Sequence, residues 1–220
     1  MSLVNLRTKY IIKISKLERI IIRRTIMGFE LDFLHYLEGF RTPVLDRIML
    51  FITRLGDSSF VWFFICGILI LVPPIKMLVT KGDAYDYEDE LIKRRKVGWG
   101  ILIACFISMI VVDYLLKGLA SRPRPFYVDR TLFVDTEKIG VALPSMTSFP
   151  SGHTAAGFAS AMLIFFSYKK AGILAFILAC LIAFSRMYFF LHYPTDILGG
   201  ALVGIIIAIF ANMFGEEMAR

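Results

Sequence analysis

Residues 149–185 read FPSGHTAAGFASAMLIFFSYKKAGILAFILACLIAFS: two uncharged runs, Thr154 to Tyr168 and Ala171 to Ser185, parted only by Lys169-Lys170. Each run is near the roughly 20 residues a helix needs to cross hydrocarbon, and flanking side chains that snorkel supply the rest. So short a connection between two helices demands an antiparallel return. The hexapeptide Phe149–Thr154 and the residues that follow Ser185 therefore lie on one membrane face, and the lysine hinge on the other. Working outward, Ser58 to Ile75, Val97 to Val112 and Ile197 to Gly215 are also uncharged. With 57% hydrophobic residues and a mean hydropathy of +0.69, the chain is too apolar for a typical soluble domain. The expected fold is all-α, an integral membrane helical bundle with about five spanning helices. A soluble protein with buried helices is the alternative, and five such runs in 220 residues argue against it.

The remaining sequence reads as membrane-surface structure. Met1 to Met27 holds no signal-peptide core, because Lys13, Lys16, Glu18, Arg19, Arg23 and Arg24 interrupt it. Ile11, Ile12, Ile14, Leu17, Ile20, Ile21 and Ile22 recur at helical spacing, as in an amphipathic helix resting on an anionic surface; a basic tail without structure is the alternative. Val44 to Leu55 reads as a second amphipathic helix, ended by Gly56-Asp57. Residues 1–57 are thus expected to form a basic interfacial arm and 58–220 the membrane domain. His35 has no obvious partner and reads as structural. Lys81 to Lys96 reads as a charged connection before a span beginning at Val97. A net charge of +7 suits anionic lipid headgroups. Nucleic acid is excluded as a partner, because no basic stripe alternates with exposed aromatics. Cys66, Cys105 and Cys180 all lie in apolar runs and read as packing residues.

The polar residues worth chemistry collect on the hexapeptide's face. Pro-Ser-Gly is ordinary turn chemistry, but it also suits a helix start, whose free N–H groups and positive dipole end make an anion site. His153 would stand beside that anion. Counting spans brings Arg186 and His192 back to the same face, and Lys117 and Arg124 reach it through the loop that Pro123 and Pro125 stiffen. Lys117, Arg124 and Arg186 could surround a phosphate dianion, with Ser151 and the Gly152 N–H completing the cradle. Asp113 precedes Lys117 by four residues and reads as its ion-pair partner. Asp196 follows His192 by four residues. A carboxylate that accepts from Nδ1 fixes the tautomer and leaves Nε2 as a nucleophile, with His153 free to protonate the departing oxygen. A plain interfacial hydrogen bond is the alternative for that pair. The basic residues perform the neutralisation a divalent ion supplies elsewhere, so no metal and no cofactor is expected.

These residues carry a resemblance. The pattern K-x6-R-P falls on Lys117 to Pro125, P-S-G-H on Pro150 to His153, and S-R-x5-H-x3-D on Ser185 to Asp196, complete and in order. The sequence resembles the type 2 phosphatidic acid phosphatase family, which shares its site with bacterial acid phosphatases and vanadium haloperoxidases. It is similar in particular to the short bacterial lipid phosphatases, more loosely also through Thr42–Asp46 and Thr53–Asp57. The resemblance implies a membrane lipid phosphatase acting through a phosphohistidine. His192 would be the nucleophile, Asp196 its orienting partner and His153 the acid; Lys117, Arg124, Ser151, Gly152 and Arg186 would hold the phosphate. The implied partner is a phosphorylated lipid: undecaprenyl diphosphate first, phosphatidylglycerol phosphate or phosphatidic acid next.

Many six-span relatives begin with a hydrophobic helix, where this chain has its charged arm. The positive-inside rule, applied to Lys93–Lys96 and Lys169-Lys170, puts the site outside the cell membrane's cytoplasmic face; applied to the N-terminal arm, it says the reverse. The resemblance favours an extracytoplasmic site. Other readings of the same residues are a lipid phosphotransferase and a non-catalytic lipid-binding or transport protein.

Overall fold

The computed structural model describes residues 25, 27–72, 84–132 and 147–219. The expected amphipathic helix within residues 11–22 and most of the loop before Phe149 lie outside them.

Helix α1 covers 27–38. Helix α2, Pro43–Gly56, begins as its sequence dictates, with Pro43 in the first turn and Thr42 as N-cap, its hydroxyl accepting from Leu45 N–H at 3.2 Å. It ends at a single 3₁₀ turn, Asp57–Ser59, where Ser58 and Ser59 take the left-handed φ values of 48° and 58°. Helix α3, Phe60–Leu71, follows. Alone, its 12 residues rise only about 18 Å. Together α2 and α3 form an apolar stretch of 29 residues, Pro43–Leu71, long enough to cross.

Helix α4, Ala84–Ser108, passes into a π-helical segment, Met109–Leu116, and one last α turn, Lys117–Ala120. The expected charged connection up to Lys96 is here corrected: from residue 84 it is helix. An apolar-rich stretch of 34 residues, Tyr87–Ala120, rises about 51 Å, well beyond the roughly 30 Å of hydrocarbon. Its charged end projects past the hydrocarbon and is held there. Tyr168 OH donates to Glu90 at 2.8 Å, Lys93 lies 4.7 Å above the Tyr168 ring, and Arg94 donates to the Ile68 carbonyl at 3.4 Å.

Helix α5, Gly152–Ser167, is an apolar helix of only 16 residues, and it sits at the centre of the bundle. Ala155, Ala156, Gly157, Ala159, Ser160 and Ala161 are buried, so α4, α6 and α7 can close on it. The lysine hinge returns the chain as expected into α6, Lys169–Tyr188, and α7 is Pro194–Ala219. Small residues four apart on a helix let a neighbour approach closely, and Gly200 and Gly204 on α7 have that spacing: a β-carbon on Gly200 would fall 2.6 Å from the Ser151 carbonyl oxygen, and one on Gly204 would fall 2.3 Å from that of Ala155.

Among the described residues, four helical stretches are long and apolar enough to cross a bilayer, with α5 as a shorter fifth, so the chain is a multi-pass membrane protein. Phe64, Phe106, Leu174, Ile177, Leu202 and Phe210 point outward, as lipid-facing residues do. Cys66 and Cys105 are buried, while Cys180 is exposed on α6. A second apolar cluster joins Leu34, Leu37 and Met49 of α1 and α2 to Phe126, Leu132, Tyr188, Phe189, Phe190, Leu191 and Tyr193. It binds the N-terminal helices to the loops that carry the polar residues.

Candidate active site

The turn between α6 and α7 presents His192, 2% exposed, with Asp196 in the first turn of α7, fully buried. Arg124 Nη1 donates to the Leu191 carbonyl at 2.7 Å and reaches His192 Nε2 at 3.1 Å. A guanidinium has only donors, so Nε2 is the acceptor and the ring proton sits on Nδ1. That nitrogen faces Asp196 Oδ2 at 3.5 Å and makes no hydrogen bond among the described residues. The tautomer is therefore the one that leaves Nε2 with its lone pair. Burial, then Arg124, Arg186, His153 and Lys117, push the His192 pKa well below its ordinary 6.5. Burial, then Arg186, also lowers that of Arg124, to about 10, which keeps it charged at neutral pH.

The hexapeptide forms the start of α5. Ser151 is its N-cap: its hydroxyl accepts from Thr154 N–H at 3.4 Å and from the Thr154 hydroxyl at 3.0 Å, while its own N–H donates to the Asp196 carbonyl at 3.0 Å. That bond ties the start of α5 to the start of α7. Gly152 faces Asp113, whose Oδ1 would lie 3.3 Å from a β-carbon there. Lys117 pairs with Asp113 four residues before it, as its spacing predicts. Arg186, in the last turn of α6 and 3% exposed, donates from Nη1 to Thr53 Oγ1 at 2.8 Å, and its Nε has no partner among the described residues. His153 is a quarter exposed, at 25%, with Nε2 3.3 Å from Asp57 Oδ1; the same oxygen lies 3.6 Å from Arg186 Nη1.

The structure thus brings together all eight residues singled out from the sequence, on one face. It adds four that went unassigned. Asp57 and Thr53 come from the end of α2. Arg122 donates to Asp196 Oδ1 at 2.8 Å and stacks 3.8 Å above the Tyr193 ring. Glu30, on α1, pairs with Arg122. His35, expected to lack a partner, faces Asp129 at 3.0 Å and Glu38 at 3.4 Å, an ion-pair cluster at the surface.

The sequence profile of the PAP2 superfamily matches residues 97–217, more than half of the chain. The chain belongs to the PAP2 superfamily. Curated relatives include the bacitracin transport permease protein BcrC of Bacillus licheniformis, 44% identical over 110 residues, which are 50% of this chain and 53% of that one. The chain thus spans about half the length of that relative. The undecaprenyl-diphosphatase of Sulfolobus acidocaldarius is 26% identical over 180 residues, 81% of this chain and 74% of its own length. Among solved structures, a transmembrane PAP2 type phosphatidylglycerolphosphate phosphatase from Bacillus subtilis shares the fold. Its TM-score is 0.53 at 23% identity, with 89% of each chain covered.

Proposed function

We propose that this PAP2 protein is a lipid phosphatase that hydrolyses the phosphate or diphosphate headgroup of a lipid through a phosphohistidine. The observation that carries this reading is His192 itself. It is a buried, neutral imidazole with its proton toward Asp196 and its lone pair toward a guanidinium 3.1 Å away.

In the first step Arg124 transfers its contact from Nε2 to a phosphate oxygen, and Nε2 attacks phosphorus. The P–O bond to the lipid breaks, and His153, facing Asp57, gives its proton to the leaving oxygen. In the second step His153 accepts a proton from water, the hydroxide displaces His192, and inorganic phosphate leaves. Lys117, Arg124 and Arg186, with Ser151 and the Gly152 N–H, hold the phosphate and stabilise the charge spread over its oxygens in the transition state. These fixed cations do the neutralising, so the reaction is metal-independent. Undecaprenyl diphosphate is the favoured substrate, supported by the relative named for that activity. Phosphatidylglycerol phosphate and phosphatidic acid follow. The site faces the extracytoplasmic side, which an impermeant thiol label on a cysteine placed at Tyr127 tests in intact cells.

The deciding experiment is phosphate release by the purified protein from these three lipids in excess EDTA. We expect turnover of at least one, and none by His192→Ala. Turnover by His192→Ala would refute the mechanism. A relative is named as a transport permease; absence of turnover on every lipid, with lipid binding intact, would favour a non-catalytic role instead.

A further inference from the structure

Glu30 lies in α1, outside every motif and outside residues 97–217, yet it is only 2% exposed. Glutamate is almost never so buried unless paired. Its pairing is complete on both oxygens. Oε1 accepts from Thr195 N–H at 3.0 Å and from the Thr195 hydroxyl at 2.6 Å, and Oε2 accepts from Arg122 Nη2. Thr195 is the second residue of α7, so a carboxylate from α1 caps the positive end of the helix that bears Asp196. Arg122 Nη1 in turn donates to Thr195 Oγ1 at 2.7 Å and to Asp196 Oδ1 at 2.8 Å. Asp196 Oδ2 accepts from Tyr193 N–H at 2.9 Å and faces His192. Two buried carboxylates thus share one guanidinium directly behind the histidine.

We propose that Glu30 is a positioning residue for the reaction: by sharing Arg122 with Asp196 and capping the turn that carries Asp196, it leaves the Asp196 carboxylate negatively charged and aimed at His192 Nδ1. The inference rests on His192 being the nucleophile. A lone Arg122–Asp196 pair would be neutral and would stabilise a cationic ring weakly; with Glu30 the trio carries a net charge of −1. As Nε2 bonds to phosphorus the ring becomes cationic, and that net charge stabilises it. The other groups acting on His192, namely Arg124, Arg186, His153 and Lys117, stand on different elements and are untouched by a change at Glu30. Among the described residues the charged groups around Asp196 are Arg122, Arg124 and Glu30, with the Tyr193 N–H and the Ser148 hydroxyl beside them. Glu30 meets neither the phosphate cradle nor the leaving group, so its effect falls on kcat.

The test uses the full chain in nanodiscs, with phosphate release from undecaprenyl diphosphate and from phosphatidic acid followed against pH. Glu30→Gln keeps the shape and removes the charge. We expect kcat to fall about tenfold with KM within about twofold, and the acid limb of kcat to move about half a pH unit lower, because the protonated ring loses support. Arg122→Gln removes the cation and should move that limb the other way, to higher pH. The substrate's own titration is common to all variants and cancels in the comparison. If Glu30→Gln does not yield folded protein, the direction of the Arg122→Gln shift decides. Loss of kcat with both limbs unmoved would mean a merely structural role and would overturn the proposal. His192→Ala separates the two levels: if it is inactive while Glu30→Gln matches the parent, this inference fails and the phosphatase reading stands.

Discussion

Gly204→Ala tests whether the contact between α5 and α7 sets the site. The added β-carbon would fall 2.3 Å from the Ala155 carbonyl oxygen, 3.0 Å from its carbonyl carbon and 3.1 Å from its Cα. All three are backbone atoms of a helix, so none can rotate away. Ordinary contact begins at 3.4 Å, so the two helices must part by about 1 Å. Overpacking of this kind costs about 1–3 kcal/mol, roughly a 5- to 150-fold loss in the folded-to-unfolded ratio. The functional cost follows from position. Asp196 lies about 12 Å N-terminal to Gly204 on the same helix. Its carbonyl holds the Ser151 N–H at 3.0 Å, next to Gly152 and His153. Parting α7 from α5 displaces His192 and Asp196 relative to the start of α5, and a misplacement of about 1 Å can cost about 100-fold in rate. Gly67→Ala is the control, because nothing lies within 4 Å of a β-carbon there, and alanine favours the helix. The assay is thermal unfolding of the purified proteins together with kcat/KM for phosphate release. We expect Gly204→Ala to lose stability and about 10- to 100-fold in kcat/KM, and Gly67→Ala to keep both. A Gly204→Ala protein that melts and turns over like the parent would refute the reasoning.

Two further outcomes follow from the electrostatics. His192 must be neutral to attack, and burial and the surrounding cations hold its pKa below 6.5. The kcat/KM profile, which reports the free enzyme, should therefore stay level as pH falls through 6.5 and decline only below it, once the substrate's own titration is divided out; an enzymic acid limb at or above 6.5 contradicts this. Asp57→Asn keeps the size of the side chain and removes the charge facing His153 at 3.3 Å. Asp57 is the carboxylate that faces the proposed acid, so kcat should drop about tenfold on its loss, whereas an unchanged kcat would show that Asp57 does not support His153.

The bundle was legible because a membrane imposes simple rules on sequence. An uncharged run must be a helix, a two-lysine hinge must reverse the chain, and Gly200 and Gly204 must mark a close approach. The convergence of the candidate site residues was legible for a related reason: Ser151, His153, Arg186, His192 and Asp196 fall at helix ends whose sides are fixed by counting crossings. What failed were inferences from charge. Glu90, Lys93 and Arg94 look like the residues of a connection, yet a helix that has left the hydrocarbon can continue, and these side chains bind Tyr168 and the Ile68 carbonyl. Glu30 and Asp57 were invisible as site residues because their significance is tertiary. Glu30 lies 92 residues from Arg122 and 165 from Thr195, and no spacing rule reaches so far. Asp57 terminates a helix, and that local role accounts for it completely until the left-handed turn at Ser58 and Ser59 sets it beside His153.

Four acidic residues explain how so basic a site can exist where helices surface from lipid. Lys117, Arg122, Arg124 and Arg186 would repel one another if desolvated together, and unpaired buried charge is costly. Asp113 balances Lys117, Asp57 faces Arg186, and Glu30 and Asp196 share Arg122. The carboxylates differ in one respect that matters for turnover. The side chains of Glu30 and Asp196 are 3% and 0% exposed, whereas those of Asp57 and Asp113 are 50% and 43% exposed. In the proposed reaction, a phosphate dianion arriving at Lys117 and Arg186 would compete with the two carboxylates that water can take back, and would leave in place the two that hold His192. The site can therefore exchange one pair of negative charges for another without dismantling the support behind its nucleophile. It can also release phosphate by the reverse exchange, which a cradle of unopposed cations would resist.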